Sequence, residues 1–275
     1  MLVTGSSGRV GSAVAAHLGK LGHKVTGFDL RPGPATTWLG SIDDPHGVAR
    51  AMAGVDGLIH CAALHAPQVG VRPDQAFRAI NVDGTRCLLA AARASGVRRV
   101  VMTSSTSVYG HALVPIDRAA WVTEALVPRP RDIYDETKLA AEALCREADA
   151  AGLPCTVLRM ARSFPEPLPE LVIHRLHRGV DLRDVAAAHA LALLSADAGF
   201  GPFNISAASP FIEADGAELL LDAASVIRRR VPDLAARFEA HGWALPQRLD
   251  RVYVIEHAAA RLGYRPRYGW QSLPD

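Results

Sequence analysis

Through the first 160 residues, short apolar runs alternate with Ala-rich stretches whose apolar positions recur at helical spacing. Residues 2–3, 24–28, 57–60, 99–103 and 156–159 read as strands, and 10–21, 48–53, 74–95 and 134–151 read as helices. Such alternation implies right-handed βαβ crossovers and an α/β fold with a doubly wound parallel sheet. The strands are apolar without interruption, as burial on both faces requires. After Arg159 the alternation weakens into a helix at 181–194, a strand at 201–205 and a mixed tail. The chain therefore divides into a sheet domain at 1–160 and a small C-terminal part at 161–275, some of which returns to the sheet. Two Pro-rich segments, 114–131 and 164–169, are too irregular for tight connections and read as candidate active-site loops.

Composition narrows the classes available. The 275 residues are 49% apolar, with 30 basic against 28 acidic side chains. That is enough apolar material for one large core with a small appendage. A net charge of +2 gives no field to hold nucleic acid or an anionic membrane. No apolar run approaches the roughly 20 residues needed to span a bilayer, and no basic segment leads into an apolar one at the N-terminus. The expectation is a cytoplasmic protein without nucleic-acid or membrane partners. Cys61, Cys87, Cys145 and Cys155 are widely spaced, so neither a disulfide framework nor a metal site is expected. Of the basic residues, 27 are Arg and only Lys20, Lys24 and Lys138 are Lys, which makes a Lys in a special place informative.

Such a place follows from the cofactor motif. Gly5, Gly8 and Gly11 stand at T-G-x-x-G-x-x-G spacing between the first strand and the first helix, around Ser7, Arg9 and Val10. Glycines there permit a sharp turn and close approach of backbone N–H groups to a pyrophosphate at a helix N-terminus. The second strand ends at Asp29, whose carboxylate can accept from both adenosine ribose hydroxyls and repels a 2′-phosphate. NAD is therefore expected ahead of NADP, with Arg31 as the one feature that favours NADP.

These residues resemble the extended short-chain dehydrogenases/reductases, the NAD-dependent epimerase/dehydratase group, over 4–159 and again over 179–194. The resemblance implies a Rossmann-type nucleotide domain with a small substrate-binding subdomain. It also implies an adenine contact at Ser41 and Ile42, where Ser41 replaces the usual Asp. Ala62 and Ala63, in the H-x-A-A pattern at 60–63, are implied beside the nicotinamide ribose. Asn81 opens the family's N-V-x-G-T helix motif. A homodimer through the helices at 74–95 and 134–151 is implied as well.

Tyr134 and Lys138 form Y-x-x-x-K, a spacing that places both on one helix face. A Tyr with a pKa of about 10 needs roughly 3 units, about 4 kcal/mol, to act as a base near neutrality. A Lys ammonium and a cationic nicotinamide ring favour phenolate by that route. Alignment on 108–110 makes Ser105 the counterpart of the family's Ser/Thr that holds the reacting oxygen, with Ser104 and Thr106 as alternatives. The expected chemistry is reversible hydride transfer at a secondary alcohol.

Thr106 and Ser107 occupy the places where dehydratases of the group carry Asp-Glu, so water elimination is not expected. Epimerase-type use of a sugar or nucleotide-sugar is placed narrowly ahead of net sugar dehydrogenation. The latter is suggested by a trimmed substrate segment and a P-E-P resembling the compact uronate dehydrogenases. A nucleotide-sensing regulator without catalysis is the alternative from another class. His65, Arg162, Ser163 and Arg175 complete the candidate substrate residues with Ser105 and Thr106, Arg being suited to a carboxylate or phosphate. His174 and His177 lack a partner pattern for a metal.

Overall fold

The computed structural model describes residues 1–195 and 199–272, so the end of the expected 161–275 unit, 273–275, lies outside the described residues. In chain order the strands are β1 (Leu2–Thr4), β2 (Thr26–Asp29), β3 (Thr36–Leu39), β4 (Gly57–His60), β5 (Arg99–Ser105), β6 (Ala120–Val122), β7 (Cys155–Met160), β8 (Pro202–Ile205) and β9 (Arg251–Tyr253). Seven of them make one sheet in the order β3-β2-β1-β4-β5-β7-β8. Every pairing in it is parallel, Val3 standing beside Gly27 on one side and Ile59 on the other. The chain moves outward from β1 in both directions, so β1 and β4 flank the switch point where open α/β sheets bind ligands beyond their carboxyl ends.

Helices cover both faces. α1 (Arg9–Lys20) buries Val14 and Leu18 on one face. On the other, α2 (Pro45–Met52) contributes Val48 and Met52. The expected helix at 74–95 is one run in three parts: α3 (Asp74–Phe77), a π-helical stretch at Arg78–Asp83, and α4 (Gly84–Ala94). The wider π turn contains Asn81, and such turns often re-aim a functional side chain. α5 (Ile133–Ala150) starts at Asp132, which caps it by accepting from Asp135 N at 3.0 Å.

The expected loop at 164–169 leads straight into α6 (Leu168–His177), whose first turn tolerates Pro169. α7 (Leu182–Leu194) and β8 return to the sheet, α7 packing on α1's face. The tail forms α8 (Gly216–Leu221), α9 (Ala223–Arg230), α10 (Pro232–Ala240) and α11 (Glu256–Leu262). With α6 and β9, α8, α9 and α10 close a separate small core around Val172, Leu176, Leu219, Ile227, Leu234 and Phe238, whereas α11 packs Ala258 and Leu262 into the main core. Two elements depart from the expected pattern. β3 is an additional edge strand, and β6 pairs with β9 across 130 residues, so the segment 114–131 is not wholly loop.

Three histidines are sealed into this framework. Burial holds His60 and His177 down to about 3 and His189 to about 4, with Lys138 adding to the effect on His60 and Arg178 on His177. A folded-state pKa below the ordinary value of about 6.5 means that stability is full above that pH and is lost as pH falls towards the folded values. Each histidine costs roughly 1.4 kcal/mol per pH unit in that window, or about 4 kcal/mol for three. Urea unfolding between pH 7.5 and 5 should show a steep loss beginning near pH 6; a flat profile would contradict the burial of neutral imidazoles.

Candidate active site

At the switch point the phosphate loop is pressed against the end of β4. Gly5 has φ +68°, and a Cβ there would sit 2.8 Å from Ala62 N. A Cβ on Gly11 would fall 2.1 Å from Gly5 O, so only glycine lets α1 begin this close to the loop. Gly8 caps α1 without a side-chain hydrogen bond, and no acid stands in its first turn. The N–H groups at Arg9 and Val10 and the positive end of the helix dipole are thus left for an anion. Ser7 Oγ donates to Arg31 O at 2.6 Å and accepts from Thr36 Oγ1 at 2.7 Å, which ties the loop to β3. The two oxygens of Asp29 accept from Ser7 N and Arg31 N, each at 3.0 Å, leaving lone pairs towards the adenosine side. Arg31 itself is exposed. Ile42 is buried and packs where a Cβ on Gly84 would meet it at 2.7 Å, while Ser41 O accepts from Asp44 N. These residues fit a dinucleotide: an uncapped helix start, a cradle that a Cβ would fill, and a carboxylate at the end of β2.

A chain of buried hydrogen bonds runs from this loop to α5. Thr85 Oγ1 donates to Asn81 O at 2.6 Å, so it must accept from His60 Nε2 at 3.0 Å. His60 Nδ1 then accepts from Thr4 Oγ1 at 2.9 Å, and Thr4 Oγ1 accepts in turn from Ala62 N. Asn81 Oδ1 accepts from Leu64 N at 2.8 Å, and its Nδ2 donates to Leu64 O and to Thr137 Oγ1 at 3.1 Å. Thr137 lies between Tyr134 and Lys138 on α5. Asn81 thereby fixes both the loop after β4, where Ala62 and Ala63 lie, and the helix bearing the Tyr and Lys.

At the carboxyl end of β5 the Ser105 hydroxyl lies close enough to Tyr134 to favour its phenolate. Ser105 Oγ also accepts from Ser107 N at 3.1 Å. Lys138 is buried one turn along α5 and donates from Nζ to Thr103 O at 2.6 Å. Burial pushes Tyr134 up to about 12, against the lowering effect of Ser105. Burial draws Lys138 down to about 8, with Glu142 the largest opposing influence. The Tyr is therefore a neutral phenol in this state of the protein.

The remaining candidates fare differently. Ser104 points away from Ser105, as alternation along a strand demands, and donates to Glu142 Oε1 at 2.5 Å. Thr106 is buried in the first 3-10 turn after β5. His65 opens another such turn at 66–68, its N–H donating to Gln68 Oε1, and burial lowers its pKa. Arg162 is paired with Glu166, which also contacts His174 Nδ1 at 2.5 Å, and Ser163 is half-buried beside it. Arg175 is buried and donates from Nη2 to Asp181 at 3.2 Å. Its Nε and Nη1 are buried without a hydrogen-bond partner among the described residues.

His177 Nδ1 donates to Arg251 O, and the described residues contain no group of three or more potential metal ligands. A cavity of about 550 Å³ between α6 and the tail is lined by His174, His177, Arg178, Phe238, Arg248 and Asp250, but not by Tyr134 or Ser105. No helix among the described residues is long and apolar enough to cross a membrane. Glu142 and Arg159 were not among the expected site residues, and Thr85 entered only as the last residue of the N-V-x-G-T motif. Glu142 lies at i+4 from Lys138, a spacing that can be read from the chain; the contacts of Thr85 and Arg159 are long-range.

A doubly wound parallel sheet with a glycine loop and a Tyr-x-x-x-Lys helix at one carboxyl edge defines a short-chain dehydrogenase/reductase, an NAD(P)-using class. Residues 1–171 match the NAD dependent epimerase/dehydratase family, and the chain belongs to that family. A 3-beta-hydroxysteroid dehydrogenase of Mycolicibacterium neoaurum is 35% identical over 171 residues, covering 57% of this chain and 46% of that protein. A UDP-glucose 4-epimerase of Streptomyces lividans is 38% identical over 168 residues, covering 55% and 48%. The chain thus spans about half the length of the curated relatives it matches. A short-chain dehydrogenase/reductase superfamily protein from Agrobacterium tumefaciens, solved with bound NAD, superposes with a TM-score of 0.74 at 27% identity. That match covers 98% of this chain and 93% of the other. Gly11→Ala should weaken NADH binding, read by nicotinamide fluorescence, at least about tenfold, a loss of about 1.4 kcal/mol. Unchanged affinity would mean that the loop is not the phosphate cradle.

Proposed function

We propose that the chain is an NAD-dependent oxidoreductase that moves hydride reversibly at a secondary alcohol of a sugar or nucleotide-sugar, in the epimerase manner of returning hydride to the oxidised carbon. The observation that carries this reading is Tyr134 beside Ser105 at the carboxyl end of β5, with Lys138 one turn away and the glycine loop across the same sheet edge. Ser105 Oγ holds the carbinol oxygen, and Tyr134 Oη takes its proton and later returns it. Lys138 donates to ribose hydroxyls and, by its charge, favours the phenolate. The dinucleotide, when bound, supplies the hydride acceptor and adds the positive ring charge that a Tyr held at about 12 by burial needs. Asp29, already fixed by two backbone N–H groups, supports NAD over NADP by accepting from ribose hydroxyls and repelling a phosphate.

A second reading, net dehydrogenation of a small sugar acid, draws on two features. Only about twenty residues separate Arg159 from Gly179, which a bridge joins back to Arg162. Arg175 also keeps two buried nitrogens, Nε and Nη1, without a hydrogen-bond partner among the described residues, the arrangement that a ligand carboxylate satisfies.

A panel of uronates, aldoses and UDP-sugars with NAD separates the two. A dehydrogenase accumulates reduced nicotinamide absorbance, whereas an epimerase interconverts sugars without net reduction. Tyr134→Phe should lower turnover by about 10²–10⁴ while NADH affinity stays within about threefold; undiminished turnover would sink the assignment. Asp29→Ala should narrow the preference for NADH over NADPH by roughly tenfold, the value of one hydrogen bond to a charged group. An unchanged ratio would contradict the role given to Asp29.

A further inference from the structure

Resting on the hydride-transfer reading above, we propose that Glu142 is a positioning residue: held by Arg159 and Ser104, its carboxylate lies one helical turn from Lys138 and keeps that ammonium charged where it serves the dinucleotide and Tyr134. Glu142 and Lys138 are four apart on α5, and both are at least 95% buried. The Glu142 carboxylate accepts from Ser104 Oγ at 2.5 Å and Arg159 Nε at 3.0 Å through Oε1, and from Arg159 Nη2 at 2.6 Å through Oε2. Lys138 is held from the same stretch of β5, through the carbonyl of the neighbouring Thr103. Two adjacent residues of β5 therefore fix both ends of the Lys–Glu pair, the strand's alternation sending the Ser104 side chain to Glu142.

A buried ion pair of Glu142 and Arg159 could be read as a staple between α5 and β7. The charge count argues for more. Arg159 lies over the ring of Tyr109, 4.9 Å from its centroid. Burial works against the Arg159 charge, yet Glu142 outweighs it and raises its pKa. One anion thus stands between two buried cations, and removing it strands both. The groups acting on Lys138 are Glu142 and Cys145 from α5, and His60 and Cys61 from the end of β4. His60 is neutral, and burial pushes the Cys61 thiol up to about 11, so it is neutral too. Glu142 is the largest influence opposing the loss of the Lys138 proton by burial.

The test is the pH dependence of NADH affinity, which requires no turnover. Wild-type affinity should fall along an alkaline limb as Lys138 loses its proton. In Glu142→Gln that limb should move to lower pH by about one unit, about fivefold weaker binding at the wild-type midpoint, whereas Glu142→Asp, which keeps the anion, should restore it. In the double variant Glu142→Gln with Arg159→Met the guanidinium is no longer stranded, so thermal stability should largely recover, while Lys138 still lacks its anion and the limb stays low. A limb that returns to wild type together with stability would overturn the proposal and leave a staple. If Glu142→Gln fails to fold, the double variant decides. A protein that shows this limb but turns over no alcohol would refute the catalytic reading alone; turnover with an unmoved limb in the double variant would refute only the role of Glu142.

Discussion

The close approach of the phosphate loop to the end of β4 is the constraint on which the rest of the site depends. Gly5 lies so near Ala62 that no side chain fits between them, and the buried series Thr4, His60, Thr85, Asn81 carries that contact to the helix bearing Tyr134 and Lys138. Each link is a short hydrogen bond in a place closed to water, where an unmade bond costs about 1–3 kcal/mol. The dinucleotide loop and the acid–base pair are therefore held as one unit, and the π turn at Asn81 is the joint between them.

The electrostatics follow from the same burial. A dry site raises Tyr134 and lowers Lys138, both away from the charged forms that acid–base work at neutrality uses. The chain offsets the second effect with a carboxylate on the same helix, which is itself pinned by Arg159 and Ser104. On the hydride-transfer reading the first is left to the ring charge of a bound dinucleotide, which couples proton transfer to occupancy of the cofactor site.

Much of this was legible in the sequence wherever the signal was local. β1, β4, β5 and β7 are apolar runs buried on both faces, and the glycine spacing, Asp29 and Y-x-x-x-K each occupy a few neighbouring residues. β3 was not legible, because Thr37, Trp38 and Leu39 are exposed at a sheet edge after two prolines. β6 and β9 have three residues each, and neither says that the other is its partner. α6 was hidden by Pro165, Pro167 and Pro169, which end the preceding loop and start the helix. The partners of Ser104 and Arg175, Glu142 and Asp181, were not legible, because such contacts are not contained in the pattern of one segment.

The most direct measurement is a crystal structure of the chain with NAD bound. The account predicts the pyrophosphate on the N–H groups at the start of α1 and the adenosine ribose on Asp29. It places nicotinamide C4 so that a carbinol carbon about 3–3.5 Å away can have its oxygen in hydrogen-bond reach of both Tyr134 and Ser105. A dinucleotide bound elsewhere, or a nicotinamide turned away from Tyr134, would contradict it.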